Sequence, residues 1–175
     1  MSALNPSQPS GRESPFDENE IIVSKTDLAS RILYANDVFL RVAQYDLKDM
    51  LGRPHNIIRH PDMPRCVFKL LWDTIQSGRE IFAYVLNMAR SGDHYWVFAH
   101  VTPSFDAGGN ICGYHSNRRK PEGHQIAKIA PLYRSLLEVE RRAADRDRGM
   151  QASSEELFAI LRARGLDYDQ FVFSL

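Results

Sequence analysis

Apolar residues fall first in short runs and later at helical spacing. Ile21-Ile22-Val23 and residues 31–35 read as two short strands, with a turn begun at Thr26-Asp27. Asn36-Asp37 is placed to cap a helix carrying Val38, Phe39, Val42 and Ala43. A further helical turn or two over residues 45–51 ends at Gly52 and Pro54. From about residue 64 to 76, Val67, Phe68, Leu71, Trp72 and Ile75 recur every three or four positions, which predicts an amphipathic helix stopped near Gly78. The period then switches to two. Residues 81–88, 94–102 and 111–118 read as strands joined by turns at Ser91-Gly92-Asp93 and Gly108-Gly109-Asn110. In the middle strand Tyr95, Val97, Ala99 and Val101 point one way; His94, Trp96, Phe98 and His100 point the other. Both faces carry bulk, so both are expected to be covered in part.

After Pro121 the pattern is wholly helical. Ile126, Ile129, Tyr133, Leu136 and Leu137 form one stripe, followed by the charged run ERRAADRDRG, which is expected to be solvated. Ser153 and Glu156 have capping-box spacing and are expected to open a helix that Gly165 closes. Phe171, Val172, Phe173 and Leu175 are costly to leave in water, so they are expected to pack on the helices or on another chain. The element order gives an α+β fold: a five-stranded antiparallel sheet, short helices over one face, a pocket between them, and a C-terminal helical extension. Three regions result: a flexible tail over 1–18, an α+β domain over 19–120 and helices over 121–175.

Composition narrows the classes. The 175 residues carry 22 basic and 22 acidic side chains, which excludes a nucleic-acid-binding surface over the whole molecule. No run approaches the ~18 apolar residues of a membrane span, and the N-terminus has no apolar core of the secretory kind. Cys66 and Cys112 have no metal spacing and imply no disulfide framework, so a cytoplasmic protein is expected. No catalytic motif or phosphate-binding glycine loop is present.

The candidate chemistry lies in HNIIRHPDMP, residues 55–64. Arg59 offers a planar fork of donors for phosphate or carboxylate. His60 donates, accepts or stacks, and Asp62 accepts from a ribose or amine or holds Arg59 or His60. The prolines restrain the loop, which lowers the ordering cost of binding. A solvated loop of helix-capping groups is the plainer reading of the same residues. Trp72 reads as core or as a stacking surface, and Asn36 as a helix cap that can still lie beside a ligand. Asn87 places an amide in an apolar strand. His55 and His60 lack the partners of a metal site; either is a candidate axial ligand for heme.

The stretches TDLASRILYANDVFLRVAQY, LGRPHNIIRHPDMP and NMARSGDHYWVFAHVTPSF resemble the PAS sensor domain of the aerotaxis-receptor family over about residues 21–120. The resemblance implies non-covalent FAD, redox sensing, and cofactor contacts from Arg59, His60, Asp62, Trp72, Asn36 and Asn87. It implies a signalling partner, either a methyl-accepting transducer or a histidine kinase, and a homodimer. That family continues into a membrane anchor and signalling rod, which are not in this sequence; the chain is more similar to the standalone PAS partners of two-component energy-taxis systems. The light-sensing PAS branch carries a cysteine in Gly-Arg-Asn-Cys-Arg-Phe, where this chain reads Gly52-Arg53-Pro54-His55. A heme-binding gas sensor and a cofactor-free dimerisation scaffold are the competing readings.

Overall fold

The alternating segments pair into one five-stranded sheet in the computed structural model, which describes residues 8–175. Strands β1 (Ile22–Thr26), β2 (Ile32–Ala35), β3 (Ile81–Met88), β4 (His94–Phe105) and β5 (Ile111–Arg119) lie in the order β2-β1-β5-β4-β3. Every neighbouring pair is antiparallel. Between β2 and β3 come α1 (Asp37–Ala43), α2 (Leu47–Met50), a 3-10 turn (His55–Ile58) and α3 (Arg65–Gln76). Helices α4 (Gly123–Arg142), α5 (Arg146–Ala163) and α6 (Tyr168–Phe173) follow β5.

Alternation decides the two faces. Tyr95, Val97 and Ala99 of β4 register with Asn87, Val85 and Ala83 of β3 on the inner face. There all of them but the polar Asn87 join Ile22, Ile32, Phe39, Ile58, Val67 and Ile75 in one buried core. Each such side chain contributes roughly 1.5–3 kcal/mol by leaving water. The outer face carries Phe82, Trp96 and Phe98, and the C-terminal helices cover it in part. Phe173 lies edge-on to Phe82 at 4.8 Å, and Trp96 stacks with Tyr133 at 5.9 Å. Of the apolar end, Phe171 and Val172 are buried within the chain, whereas Phe173 stays 61% exposed.

Both edges of the sheet are tied down by one stretch. Residues 52–55 hydrogen-bond along β2 and the turn before it: Gly52 N donates to Ile32 O, Ile32 N to Arg53 O, and His55 N to Ser30 O. Four residues on, Arg59 bridges Asn87 of β3, and beyond it Leu86 N donates to the Met63 sulfur at 3.4 Å. The strap 52–63 therefore runs across the inner face from edge to edge. Tyr133 of α4 completes the β3 edge by donating its hydroxyl to Tyr84 O at 2.7 Å. Unpaired strand edges invite association with other chains, and neither edge is left bare here.

Three expectations are corrected. Within the expected tail, residues 8–18 are laid against the domain; residues 1–7 lie outside the described residues. Ser14 N donates to His94 O, His94 N to Arg12 O and Ser14 Oγ to Val42 O, while Phe16 is buried. A single aromatic anchor and the side of β4 that β5 leaves open before Phe98 outweigh the polar composition. Ser153 does not cap a helix. Asp145 does so eight residues earlier, its carboxylate accepting from Asp147 N and Arg148 N, and Ser153 is buried in mid-helix. The run ERRAADRDRG is not wholly solvated either, because Glu140 and Gly149 are buried where α4 meets α5.

Candidate functional site

A cavity of about 850 Å³ lies between α3, the strap and the inner face of the sheet. That is the upper part of the ~300–1,000 Å³ range of small-molecule sites. Ile58, Leu71, Val85 and Val101 give it apolar walls, into which a few polar groups converge.

The most unusual of these is Arg118. Alternation along β5 sets Tyr114, Ser116 and Arg118 on the inner face. Arg118 is 2% exposed. Its Nε donates to Ser116 Oγ at 3.0 Å. Its Nη2 donates to Ser24 Oγ and lies 3.1 Å from His55 Nε2. The guanidinium lies over the Phe39 ring at 4.5 Å. No carboxylate pairs with it, and Nη1 has no hydrogen-bond partner among the described residues. Burial pulls its pKa down to about 10, which leaves it a cation at neutral pH. Removing a charge from water without an opposite charge is costly, so this group calls for an acceptor from outside the chain.

His55 is the neutral counterpart. Burial first, and the adjacent Arg118 cation second, lower its pKa to about 3. As the acceptor for Arg118, Nε2 carries no proton, so the hydrogen sits on Nδ1. His55 also stacks on Phe39 at 5.8 Å. Asn87 is buried and lines the cavity, and no group among the described residues hydrogen-bonds its amide. Trp72 lines the cavity edge-on to Tyr114 at 5.4 Å. Arg59 lines the mouth, its guanidinium over Phe68 at 4.5 Å.

The six residues named from sequence therefore divide. Arg59, Trp72 and Asn87 line one cavity. Asn36, His60 and Asp62, also expected to contact the cofactor, do not line it and are engaged in framework bonds. Asn36 caps α1 by accepting from Phe39 N, accepts also from Val23 N, and donates to Ile21 O. With three bonds made, its amide has little left for a ligand. His60 is buried outside the cavity, its Nδ1 accepting from Asp62 N at 3.1 Å. Asp62 points outward and pairs with Arg141 of α4 at 2.9 Å. The reading missed Arg118 and Ser24. Period two along 114–118 was the available signal, since it puts an arginine on the face of Tyr114.

The residues present fit a flavin. An orphan donor, a neutral histidine, an unbonded amide and an indole line one apolar cavity with a basic mouth. They fit heme poorly: His55 Nε2 is engaged by Arg118 and Ser24, and His60 lies outside the cavity. Cys66 is buried in the first turn of α3 and Cys112 is exposed, and neither lines the cavity.

Comparison with known proteins agrees with this geometry. Residues 32–118 match the PAS fold family. Over 125 residues, 71% of this chain, the sequence is 40% identical to the aerotaxis receptor of Escherichia coli (strain K12), and the chain spans 24% of that receptor's length. A blue-light-activated histidine kinase of Rhizobium johnstonii (strain DSM 114642 / LMG 32736 / 3841) is 26% identical over 114 residues, 64% of this chain and 33% of the kinase. Among solved structures, the light state of the blue-light photoreceptor Aureochrome1 LOV has a TM-score of 0.57 at 26% identity, covering 63% of this chain and 88% of that one. The chain belongs to the PAS family, a class of sensor domains built around a cavity between sheet and short helices. Its PAS domain is of the aerotaxis-receptor type. Among the described residues, no helix is long and apolar enough to cross a membrane.

Proposed function

We propose that this chain is a redox sensor that holds FAD non-covalently and passes the flavin's state to a signalling protein. The observation that carries the reading is the buried Arg118 guanidinium, without a carboxylate and with Nη1 unpaired at the inner face. A bound flavin supplies a ring that gains negative charge and a proton on reduction. Arg118 stabilises that charge, and neutral His55 holds the guanidinium in place by accepting from Nη2. The Asn87 amide donates or accepts at the ring's edge, so it re-pairs when the edge gains a proton. A buried polar group left without its partner costs roughly 1–3 kcal/mol, enough to bias a two-state element. The likeness to a receptor named for aerotaxis supports an energy-sensing role, and the histidine kinase relative supports a signalling partner, either a kinase or a methyl-accepting transducer. The partly covered outer face of the sheet suits a homodimer. The photoreceptor relatives do not extend the reading to light adducts, because no cysteine lines the cavity.

The test is an absorption spectrum of the purified chain before and after dithionite. Flavin bands that bleach on reduction, and release FAD on denaturation, are the expected result. A Soret band, or a colourless protein that takes up no added flavin, rejects it.

A further inference from the structure

The cavity is lined by the C-terminal helices as well as by the PAS domain. Arg146, Asp147 and Met150, from the first turns of α5, line it opposite Arg59, Arg65 and Lys69. Three guanidiniums thus converge from three elements: the strap, α3 and α5. Arg65 is engaged twice, with Nη1 donating to Arg146 O at 3.2 Å and Nε lying 3.6 Å from Glu140. Arg59 and Arg146 have no carboxylate within ion-pair distance among the described residues. Lys69 is taken by Asp73, and Asp147 is the one further acid on the rim. Arg65 and Arg146 add to burial in pressing the Arg59 guanidinium towards neutrality, while Glu140 opposes them. The amides of α5's first turn are not the attraction, since Asp145 already accepts from Asp147 N and Arg148 N.

Like charges brought together by docking oppose that docking, and a bound anion reverses the sign. We propose that the first turn of α5 is a phosphate-dependent clasp: Arg59, Arg65 and Arg146 take the diphosphate of a flavin dinucleotide, and that group holds the C-terminal helices against α3. The proposal rests on the flavin reading. It makes cofactor occupancy, separately from redox state, a determinant of how firmly the first turns of α5 are held against α3.

The experiment compares riboflavin, FMN and FAD on cofactor-stripped full-length chain, wild type and Arg146→Gln. Affinity is read by flavin fluorescence quenching and α5 docking by amide hydrogen exchange over 146–163. The expected result is a loss of about tenfold or more in FAD affinity in R146Q, with riboflavin affinity unchanged. FAD, and not riboflavin, slows exchange of α5, with FMN between them. Arg146→Lys recovers part of the FAD affinity, as a charge without the planar fork should. Unchanged FAD affinity in R146Q, or equal protection of α5 by riboflavin, overturns the clasp and leaves the flavin reading standing. Binding of none of the three flavins by wild type overturns both.

Discussion

At the residue scale, the site turns on which polar groups are already satisfied. Arg118 retains an unpaired donor at the inner face, so its removal should tell on a bound flavin's reduced form. A charge-assisted hydrogen bond of roughly 1.5–3 kcal/mol converts to a fall of about 30–60 mV in a two-electron potential. Arg118→Gln is expected to show that fall in a spectroelectrochemical titration, and Arg118→Lys about half of it. His55 gives a pH dependence. The unfolded chain protonates it near 6.5 and the folded chain near about 3, so the native state binds fewer protons and loses stability as pH falls through that window. Between pH 7 and 5 this one group accounts for about 2 kcal/mol. Denaturant unfolding at the two pH values should show His55→Gln losing about that much less than wild type, since the burial-depressed His60 and His115 remain in both. Asn36 should separate framework from function. Asn36→Ala breaks a cap, a bond to Val23 of β1 and one to Ile21 before it, and is expected to cost about 2 kcal/mol in stability with flavin affinity per folded molecule unchanged.

At the element scale, the α3–α4–α5 joint is the least obvious construction. Glu140 of α4 is 3% exposed, and its Oε1 accepts from Cys66 N at the start of α3 and from Ser153 Oγ of α5, both at 3.0 Å. One carboxylate therefore caps the cavity helix and pins two others. Gly149 lets α5 approach, since a Cβ there would sit 2.5 Å from Glu140 O. By helix propensity Gly149→Ala would gain about 1 kcal/mol; the clash is expected to reverse the sign to a net loss of roughly 1–3 kcal/mol, read from the thermal midpoint. The same joint shows what was legible in the sequence. The strands and α1 to α4 follow from period, caps and turns, because each signal is local. The start of α5 differs because the capping pattern at Ser153 and Glu156 is local, whereas the Ser153 hydroxyl is taken by the tertiary carboxylate of Glu140 and Asp145 caps the helix. The buried role of Glu140 had no local trace, since burial is decided by partners 74 and 13 residues away. Arg59, Trp72 and Asn87 came from pattern and resemblance together, whereas Asn36, His60 and Asp62 differ because a polar side chain near a site is as easily spent on the backbone.

At the scale of the whole molecule, the C-terminal helices complete both the core and the site. Leu136, Leu157, Leu161, Phe171 and Val172 belong to the same buried cluster as the sheet. Ending the chain at residue 166 removes two of them and uncovers Phe82 and Phe98; it is expected to cost roughly 3–5 kcal/mol and to produce self-association in sedimentation velocity. The strap has a mechanical meaning as well. It is fastened to β2 at one end and β3 at the other, across five strands that span ~19 Å at normal spacing. A tie of fixed length across a twisted surface behaves as a bowstring: if the sheet flattens the string is drawn in, and if it curls the string slackens. His55, Ile58 and Arg59 sit on the string, so the depth of the chamber and the curvature of the sheet form a single variable. Whatever fills the chamber thereby sets the shape of the outer surface, without a path of side-chain relays through the sheet.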